Sequence, residues 1–432
     1  MRILVLALLT IGLLGRSERS WSQAATPLAI TEVNVIPMNQ DTVLRRQTVL
    51  IERGRIKAIG AASQVKLPAG AVRLDGRGKY LLPGLIDMHA HLPGKEGTLH
   101  PLNTYFRLQL AAGVVGLRSM RGDSSHLHWR DSLRRTAALA PRLYLGSPVF
   151  NRDQSYSARK GRVLLARYQA SGYDFAKYLG GLTAPHYDSL LTDAHQLGFK
   201  VAGHAPRSGL RGAVAARMAS VEHIEAVVEA FLQDSVQFRQ LARQMAADRI
   251  FTCPDLYWYE VSWLQYPLDY LQRLPGLAYV SPPVRQEWQE WWTAENQQLK
   301  PGGSPTAAFT QLTAALRTYG QAFRILHKAG VQFLISPGDG PFVVPGYSMA
   351  QELGLLVKLG LSPYEALRAA TYNAAVWLGE QDQRGTLVPG KAADLVLLDA
   401  NPLENIANIG RVRGVVLNGR WVPVAQLLPT QP

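Results

Sequence analysis

The middle of the chain alternates short apolar runs with longer segments of helical pattern, and this rhythm constrains the fold more than any other feature. Eight runs have strand character, at residues 81–91, 113–118, 142–146, 173–178, 199–204, 220–223, 249–253 and 331–335. Most intervals between them have apolar residues at helical spacing, for example 186–195. Strands and helices that alternate in this way predict an α/β fold, a (β/α)8 TIM barrel, with a doubly wound sheet as the alternative.

Both ends of the chain differ from this middle, because their apolar segments are short and close together. Segments 28–36, 48–52 and 55–59 precede the middle, and segments 394–398 and 412–417 follow it. The last segment leads into Asn418-Gly419, a dipeptide typical of a β-hairpin turn. We expect the two ends to combine into one composite β domain.

Residues 1–24 have the pattern of a secretory signal peptide. Arg2 gives a positive start, residues 3–14 are apolar, and Ser22-Gln23-Ala24 offers small residues for cleavage. The apolar run is shorter than the roughly 20 residues that span a bilayer, although an N-terminal anchor is the alternative. We therefore predict an exported protein, periplasmic or secreted. Its single cysteine, Cys253, excludes an internal disulfide framework.

The net charge of +14 does not by itself indicate a nucleic-acid partner. Lysine and arginine are scattered along the chain, without a long basic run or a nucleic-acid-binding motif. No stretch after the signal peptide has the length and hydropathy of a transmembrane helix. The partner we expect is a small-molecule substrate, with no nucleic acid and no stable membrane span. Assembly into a homo-oligomer is left open.

Polar residues that suit a metal ion follow several of the predicted strands. His89 and His91 are two apart on the first strand, so their side chains leave it on the same face. The ends of the strands of a (β/α)8 barrel converge at one face, where imidazole and carboxylate groups can close on a divalent ion such as zinc. The residues at these ends are His89, His91, Lys177, His204, His223 and Asp339. Each histidine taken alone is more often structural.

Several motifs resemble those of the metal-dependent amidohydrolase superfamily, in particular its imidazolonepropionase-like and proline dipeptidase-like subgroup. The segment 83–91 resembles its first-strand signature, and Gly203-His204-Ala205 and Val221-Glu222-His223 resemble its fifth and sixth strands. The tail at 385–396 is similar to the return of that family into its β-sandwich. Asp339 departs from the family pattern, because Pro337-Gly338 comes directly before it.

The resemblance implies a domain plan and a binuclear site. The plan is a signal peptide at 1–24, a hydrolase barrel at 80–383, and a composite β-sandwich from 25–79 and 384–432. His89, His91 and Asp339 would hold one of two divalent metal ions, expected to be Zn²⁺, and His204 and His223 the other. Lys177 would bridge both as a carboxylated lysine, since a carbamate offers anionic oxygens that an ammonium lacks. An ordinary ammonium beside one metal is the alternative.

The family also implies a reaction, the hydrolysis of C–N bonds in amides or small peptides. A hydroxide that bridges the metals would attack the carbonyl, with Asp339 as general base and then general acid. One alternative is a lactonase or other ester hydrolase with the same site. Another is a catalytically silent binding barrel.

Five further residues are candidates for substrate binding. They lie at or past the ends of the second and seventh strands: Arg118, Arg121, His126, His128 and Tyr257. There they could meet a substrate carboxylate or line the mouth of the site. The alternative for each is a solvated loop residue. In the long segment at 255–320, Trp288, Trp291 and Trp292 share one helical face. That face either packs against the body or forms a lid.

Overall fold

The computed structural model describes residues 26–92, 102–136, 138–151 and 157–428. The predicted signal peptide lies outside these ranges, and export stays a prediction. Within them, no helix is both long and apolar enough to cross a bilayer.

The described ranges contain sixteen strands and fifteen α-helices in chain order. The strands are β1 Leu28–Val35, β2 Leu44–Glu52, β3 Arg55–Gly60, β4 Val72–Asp75, β5 Tyr80–Pro83, β6 Leu85–Ala90, β7 Val114–Ser119, β8 Arg142–Leu145, β9 Phe150–Asn151, β10 Ala176–Gly180, β11 Val201–Gly203, β12 Ser220–Glu222, β13 Phe251–Cys253, β14 Leu395–Leu398, β15 Val412–Leu417 and β16 Arg420–Pro423. The helices are α1 Leu102–Ala111, α2 Ser124–Thr136, α3 Ala158–Ala170, α4 Ala184–Gln196, α5 Gly209–Ala215, α6 Glu225–Gln233, α7 Ser235–Ala247, α8 Leu256–Ser262, α9 Leu268–Leu271, α10 Pro282–Leu299, α11 Ala307–Ala329, α12 Met349–Leu359, α13 Pro363–Ala370, α14 Tyr372–Leu378 and α15 Val424–Leu427. Short 3₁₀ turns lie at Leu277–Tyr279, Pro301–Gly303 and Ile406–Gly410.

Strands from both ends of the chain form one eight-stranded sheet. Its order is β16-β15-β14-β5-β1-β2-β3, and β4 pairs with β1. β14 from the C-terminal part pairs antiparallel with β5 from the N-terminal part, which joins the two ends directly. The apolar residues on one side of these strands pack into a core of their own.

The predicted first strand, 81–91, is two strands in the structure. Its first half, β5, belongs to the eight-stranded sheet, and its second half, β6, begins the parallel sheets of the middle. The chain changes sheet at Gly84, whose backbone N–H donates to the carbonyl oxygen of Asp394 at 3.0 Å. A Cβ at this position would lie 2.3 Å from a methyl group of Val115, so only glycine fits at the junction.

The middle contains two parallel sheets, β6-β7-β8 and β13-β12-β11-β10-β9. Every residue of β6 and β7 is buried, as is typical of parallel strands covered on both faces. Backbone hydrogen bonds connect the sheet edges. Ser147 N–H donates to Phe175 O at 2.9 Å on one side, and Met88 N–H donates to Ile335 O at 2.9 Å on the other.

The eighth predicted strand, 331–335, does not form a regular strand in the structure. It makes one isolated parallel bridge, from Phe333 to Thr252 of β13, and Leu334 N–H donates to the Thr252 carbonyl oxygen at 2.8 Å. This segment therefore lies between β13 and β6, where an eighth strand would lie. The sheets do not close into one regular ladder.

Candidate active site

The six residues predicted from the strand ends lie together in one cleft. The ring centroids of His89 and His223 are 4.7 Å apart, and those of His204 and His223 are also 4.7 Å apart. His91 lies next to His89, with centroids 5.5 Å apart, and its Nδ1 is 3.7 Å from Asp339 Oδ2. Because parallel strands deliver their carboxyl ends to one face, residues distant in sequence meet here.

Three of the histidines are held neutral. Burial, followed by the positive charge of Lys177, lowers the pKa of both His91 and His204 to about 3. The same two causes place the pKa of His89 well below its ordinary value. A neutral imidazole keeps a lone pair available, which is the form that binds metal ions.

Lys177 is almost completely buried, at 2% exposure, in β10. Its backbone N–H donates to Ser147 Oγ at 3.2 Å. Burial lowers the pKa of the Lys177 ammonium to about 8, against the opposing effect of the nearby Glu222 carboxylate. Near neutral pH a much larger fraction of this amine is uncharged than in a solvated lysine, and the uncharged amine is the form that reacts with CO₂.

Asp339 lies in a short loop between two glycines, and the departure from the family pattern has a physical reason here. Gly338 has φ +77°, and a Cβ there would lie 2.5 Å from Trp258 Cβ. A Cβ on Gly340, where φ is +154°, would lie 3.0 Å from the indole Nε1 of Trp258. The tryptophan therefore packs tightly on the loop. Loss of solvation in the cleft raises the pKa of the Asp339 carboxyl to about 6, although about half of its side-chain surface is exposed.

The substitution Gly338→Ala is expected to lower the free energy of unfolding by roughly 2–4 kcal/mol and to displace Asp339. The physical cause is a steric clash with Trp258 added to left-handed backbone strain. The matched control is Gly390→Ala, where φ is +93° and no atom lies within 4 Å of the added Cβ. Urea unfolding of both variants checks this, and equal losses of stability would contradict the clash.

Two buried carboxylates at the site were missed by the sequence analysis. Glu222 Oε2 lies 2.9 Å from His89 Nδ1. Asp255 Oδ2 lies 3.3 Å from His89 Nδ1 and 3.2 Å from His223 Nδ1. His89, His223 and Asp255 form a group that could hold a metal ion, with potential ligand atoms within 4.8 Å of one another. Asp255 comes two residues after the end of β13, so the strand-end rule that selected His223 would have selected it too.

Comparison with known proteins agrees with this geometry. A model described as Amidohydrolase family matches residues 308–422. An imidazolonepropionase from Geobacillus kaustophilus is 24% identical over 383 residues, which are 83% of this chain and 84% of that protein. Residues 308–422 thus match the amidohydrolase family, and similarity to an imidazolonepropionase extends over most of the chain. The family prediction made from the motifs is thus confirmed.

Two solved structures share the fold of this chain. A Xaa-Pro dipeptidase with bound methionine has a TM-score of 0.69 and 18% identity, covering 92% of this chain and 100% of that one. Bottromycin amidohydrolase has a TM-score of 0.72 and 22% identity, covering 93% of this chain and 88% of that one.

Two of the predicted substrate-binding residues, Arg118 and Tyr257, are buried and have partners within the protein, which argues against both expectations. Arg118 is completely buried, with its guanidinium committed to Glu222 at 2.9 Å and to Ser220 Oγ at 3.0 Å. It cannot also meet a substrate carboxylate. Tyr257 is buried in the core, where its hydroxyl donates to the carbonyl oxygen of Phe342 at 3.3 Å.

The other three candidates follow β7 and differ in exposure. Arg121 is exposed, and its charge adds to the burial that lowers the pKa of His91, so it lies near the cleft. His126 is buried, with its ring centroid 5.0 Å from that of Trp129 and no hydrogen-bond partner for either ring nitrogen among the described residues. His128 is exposed. Arg121 is therefore the strongest remaining candidate for contact with substrate.

The tryptophan face of α10 packs against the body of the protein. Trp288 is buried, with its ring centroid 5.5 Å from that of Phe342, while Trp291 and Trp292 are half-buried. Packing accounts for this stripe. Because Phe342 follows the Asp339 loop by a few residues, α10 also adjoins the site, and a lid stays a prediction.

Proposed function

We propose that the chain is a metal-dependent hydrolase of C–N bonds in amides or small peptides. The observation that carries the proposal is the convergence of four histidines, a buried lysine and an aspartate in one cleft. The match of residues 308–422 to the amidohydrolase family supports it, as does similarity to proteins named imidazolonepropionase and Xaa-Pro dipeptidase. The connected sheet edges support a (β/α)8 barrel as the framework of this cleft.

The residues present fit divalent metal ions. Neutral imidazoles and carboxylates are the donor set that zinc prefers, and His223 Nδ1 and Asp255 Oδ2 are buried polar atoms without a well-directed hydrogen bond among the described residues. His89, His91 and Asp339 would hold one ion, and His204 and His223 a second. A carboxylated Lys177 would bridge them. When bound, the ions would polarise the scissile carbonyl and acidify a water molecule.

The remaining chemistry falls to residues of the chain. Asp339, with a pKa of about 6 in the cleft, can accept a proton from the attacking water and return it to the leaving amine. Arg121 would attract an anionic end of the substrate to the mouth. The indole of Trp258 has its ring centroid 6.3 Å from that of His223 and offers an apolar wall beside the cleft.

A substrate screen on the full chain tests the proposal. N-acyl amino acids, dipeptides that end in proline or a basic residue, and lactones are offered to protein purified with added zinc. We expect hydrolysis of amides or dipeptides that a chelator abolishes and zinc restores. Turnover of lactones alone would instead identify an ester hydrolase. No turnover, combined with no bound metal, would indicate a silent barrel.

A further inference from the structure

A network of buried polar groups contacts the histidines of the site. It includes two carboxylates, Glu222 and Asp255, which are 2% and 1% exposed. The mechanism above does not use either group. Glu222 approaches His89 through Nδ1, and Asp255 approaches both His89 and His223 through Nδ1.

Glu222 determines which nitrogen of His89 can bind a metal. At 2.9 Å, His89 Nδ1 and Glu222 Oε2 are at hydrogen-bond distance, and a carboxylate oxygen can only accept. Nδ1 must therefore carry the proton. A nitrogen that carries a proton has no lone pair for a metal ion, so only Nε2 of His89 is available.

Arg118 fixes Glu222 in this orientation. Its Nη2 lies 2.9 Å from both carboxylate oxygens, and its Nε donates to the carbonyl oxygen of Met88. The guanidinium also lies over Trp377, 4.3 Å from the ring centroid. A buried arginine with its donors occupied in this way holds the carboxylate in one orientation.

Asp255 is placed between the two histidines that are assigned to different ions. It has a left-handed backbone conformation, φ 52°, and so does His223, at φ 70°. The turn is held by Glu352, whose carboxylate accepts the backbone N–H groups of Leu256 and Tyr257 at 3.0 and 2.7 Å. Strained backbone held by buried hydrogen bonds is typical of functional sites.

We propose that Glu222 and Asp255 are positioning residues of the metal centre. Glu222 holds Nδ1–H of His89, and Asp255 accepts from Nδ1–H of His223 in the loaded centre, so that both Nε2 atoms face the ions. The inference rests on the proposed function, because it assigns roles toward the metals. The competing arrangement makes Asp255 Oδ2 a ligand together with both Nδ1 atoms. It requires Nδ1 of His89 to leave Glu222.

Metal titrations of Glu222→Gln and Asp255→Asn test the proposal, with Asp188→Asn on the exposed face of α4 as the matched control. Zinc affinity is measured by competition with a chromophoric chelator, and stoichiometry at saturation by elemental analysis. We expect each variant to bind zinc about 10- to 100-fold more weakly with unchanged stoichiometry. Unchanged affinity in both variants would overturn the proposal. Loss of one full equivalent in Asp255→Asn would make Asp255 a ligand and also overturn it.

A second measurement separates this inference from the proposed function. Nitrogen-15 spectra of histidine-labelled, metal-free protein report the tautomer of His89 without any metal or activity. We expect the Nδ1–H tautomer in the wild type and its loss in Glu222→Gln. An Nε2–H tautomer in the wild type would overturn the inference even if the protein proves to be a zinc hydrolase. Wild-type protein that binds no metal but has the expected tautomer would instead reject the proposed function.

Discussion

Asp339→Asn is expected to lower kcat by about 10³-fold, within the range that a positioned general base and acid contributes. An amide cannot accept the proton of the attacking water, and it binds cations more weakly than a carboxylate does. The expected signature is a loss of kcat with KM changed little. Steady-state kinetics on the best substrate of the screen measures it, and Asp188→Asn is the exposed control. A kcat within a few-fold of the wild type would remove Asp339 from the mechanism.

The dependence of wild-type kcat/KM on pH also tests the role of Asp339. The pKa of Asp339 is about 6 in the metal-free cleft, and bound cations favour the ionised form and lower it further. Because the base must be ionised, kcat/KM is expected to fall only at pH values below about 6. A loss of activity with a midpoint well above pH 6 would assign the essential base to another group.

Lys177→Met has the second largest expected effect, and it acts in opposite directions on function and stability. Methionine offers no amine for carboxylation, so we expect loss of the bridging ligand, of bound metal and of activity. The metal-free variant, however, is expected to be more stable than metal-free wild type by about 3 kcal/mol at pH 7. The difference is the free-energy penalty for burying the charged ammonium of Lys177, whose pKa is about 8 in the folded protein against an ordinary value of 10.5.

The size of this effect on stability depends on pH. The folded state resists the charged form of Lys177, so the penalty is complete below pH 8. It declines between about pH 8 and 10.5 and is absent above that range. Urea unfolding at pH 7 and pH 10.5 measures the difference, with Lys57→Met on the exposed side of β3 as control. A metal-free variant less stable than wild type at pH 7 would contradict the account.

The sequence was sufficient to predict those residues of the site that lie at the ends of strands. Alternating apolar runs predicted parallel strands, and the rule that their carboxyl ends converge selected His89, Lys177 and His223 correctly as neighbours. The same reasoning did not separate β5 from β6. That junction depends on the close contact between Gly84, which lies between the two strands, and Val115 of β7, which is far away in sequence.

The main limit on predicting the site from the sequence was the direction in which each side chain points. Arg118 and Tyr257 follow or end predicted strands, as true cleft residues do, yet both point into the protein. Burial of an arginine carries a desolvation penalty that a carboxylate partner offsets, and the partner of Arg118, Glu222, is adjacent to it only in the fold. Likewise, the glycine before Asp339 departs from the family pattern because Trp258 fills the space of a side chain.

Elemental analysis of the purified full chain tests the central claim, that this cleft is a binuclear metal centre, most directly. Protein produced with zinc in the medium and freed of loosely bound metal is expected to carry about two zinc ions per chain, and Lys177→Met far fewer. Circular dichroism confirms that both proteins are folded. A well-folded wild-type chain that carries no metal, and takes up none when zinc is added, would contradict the account.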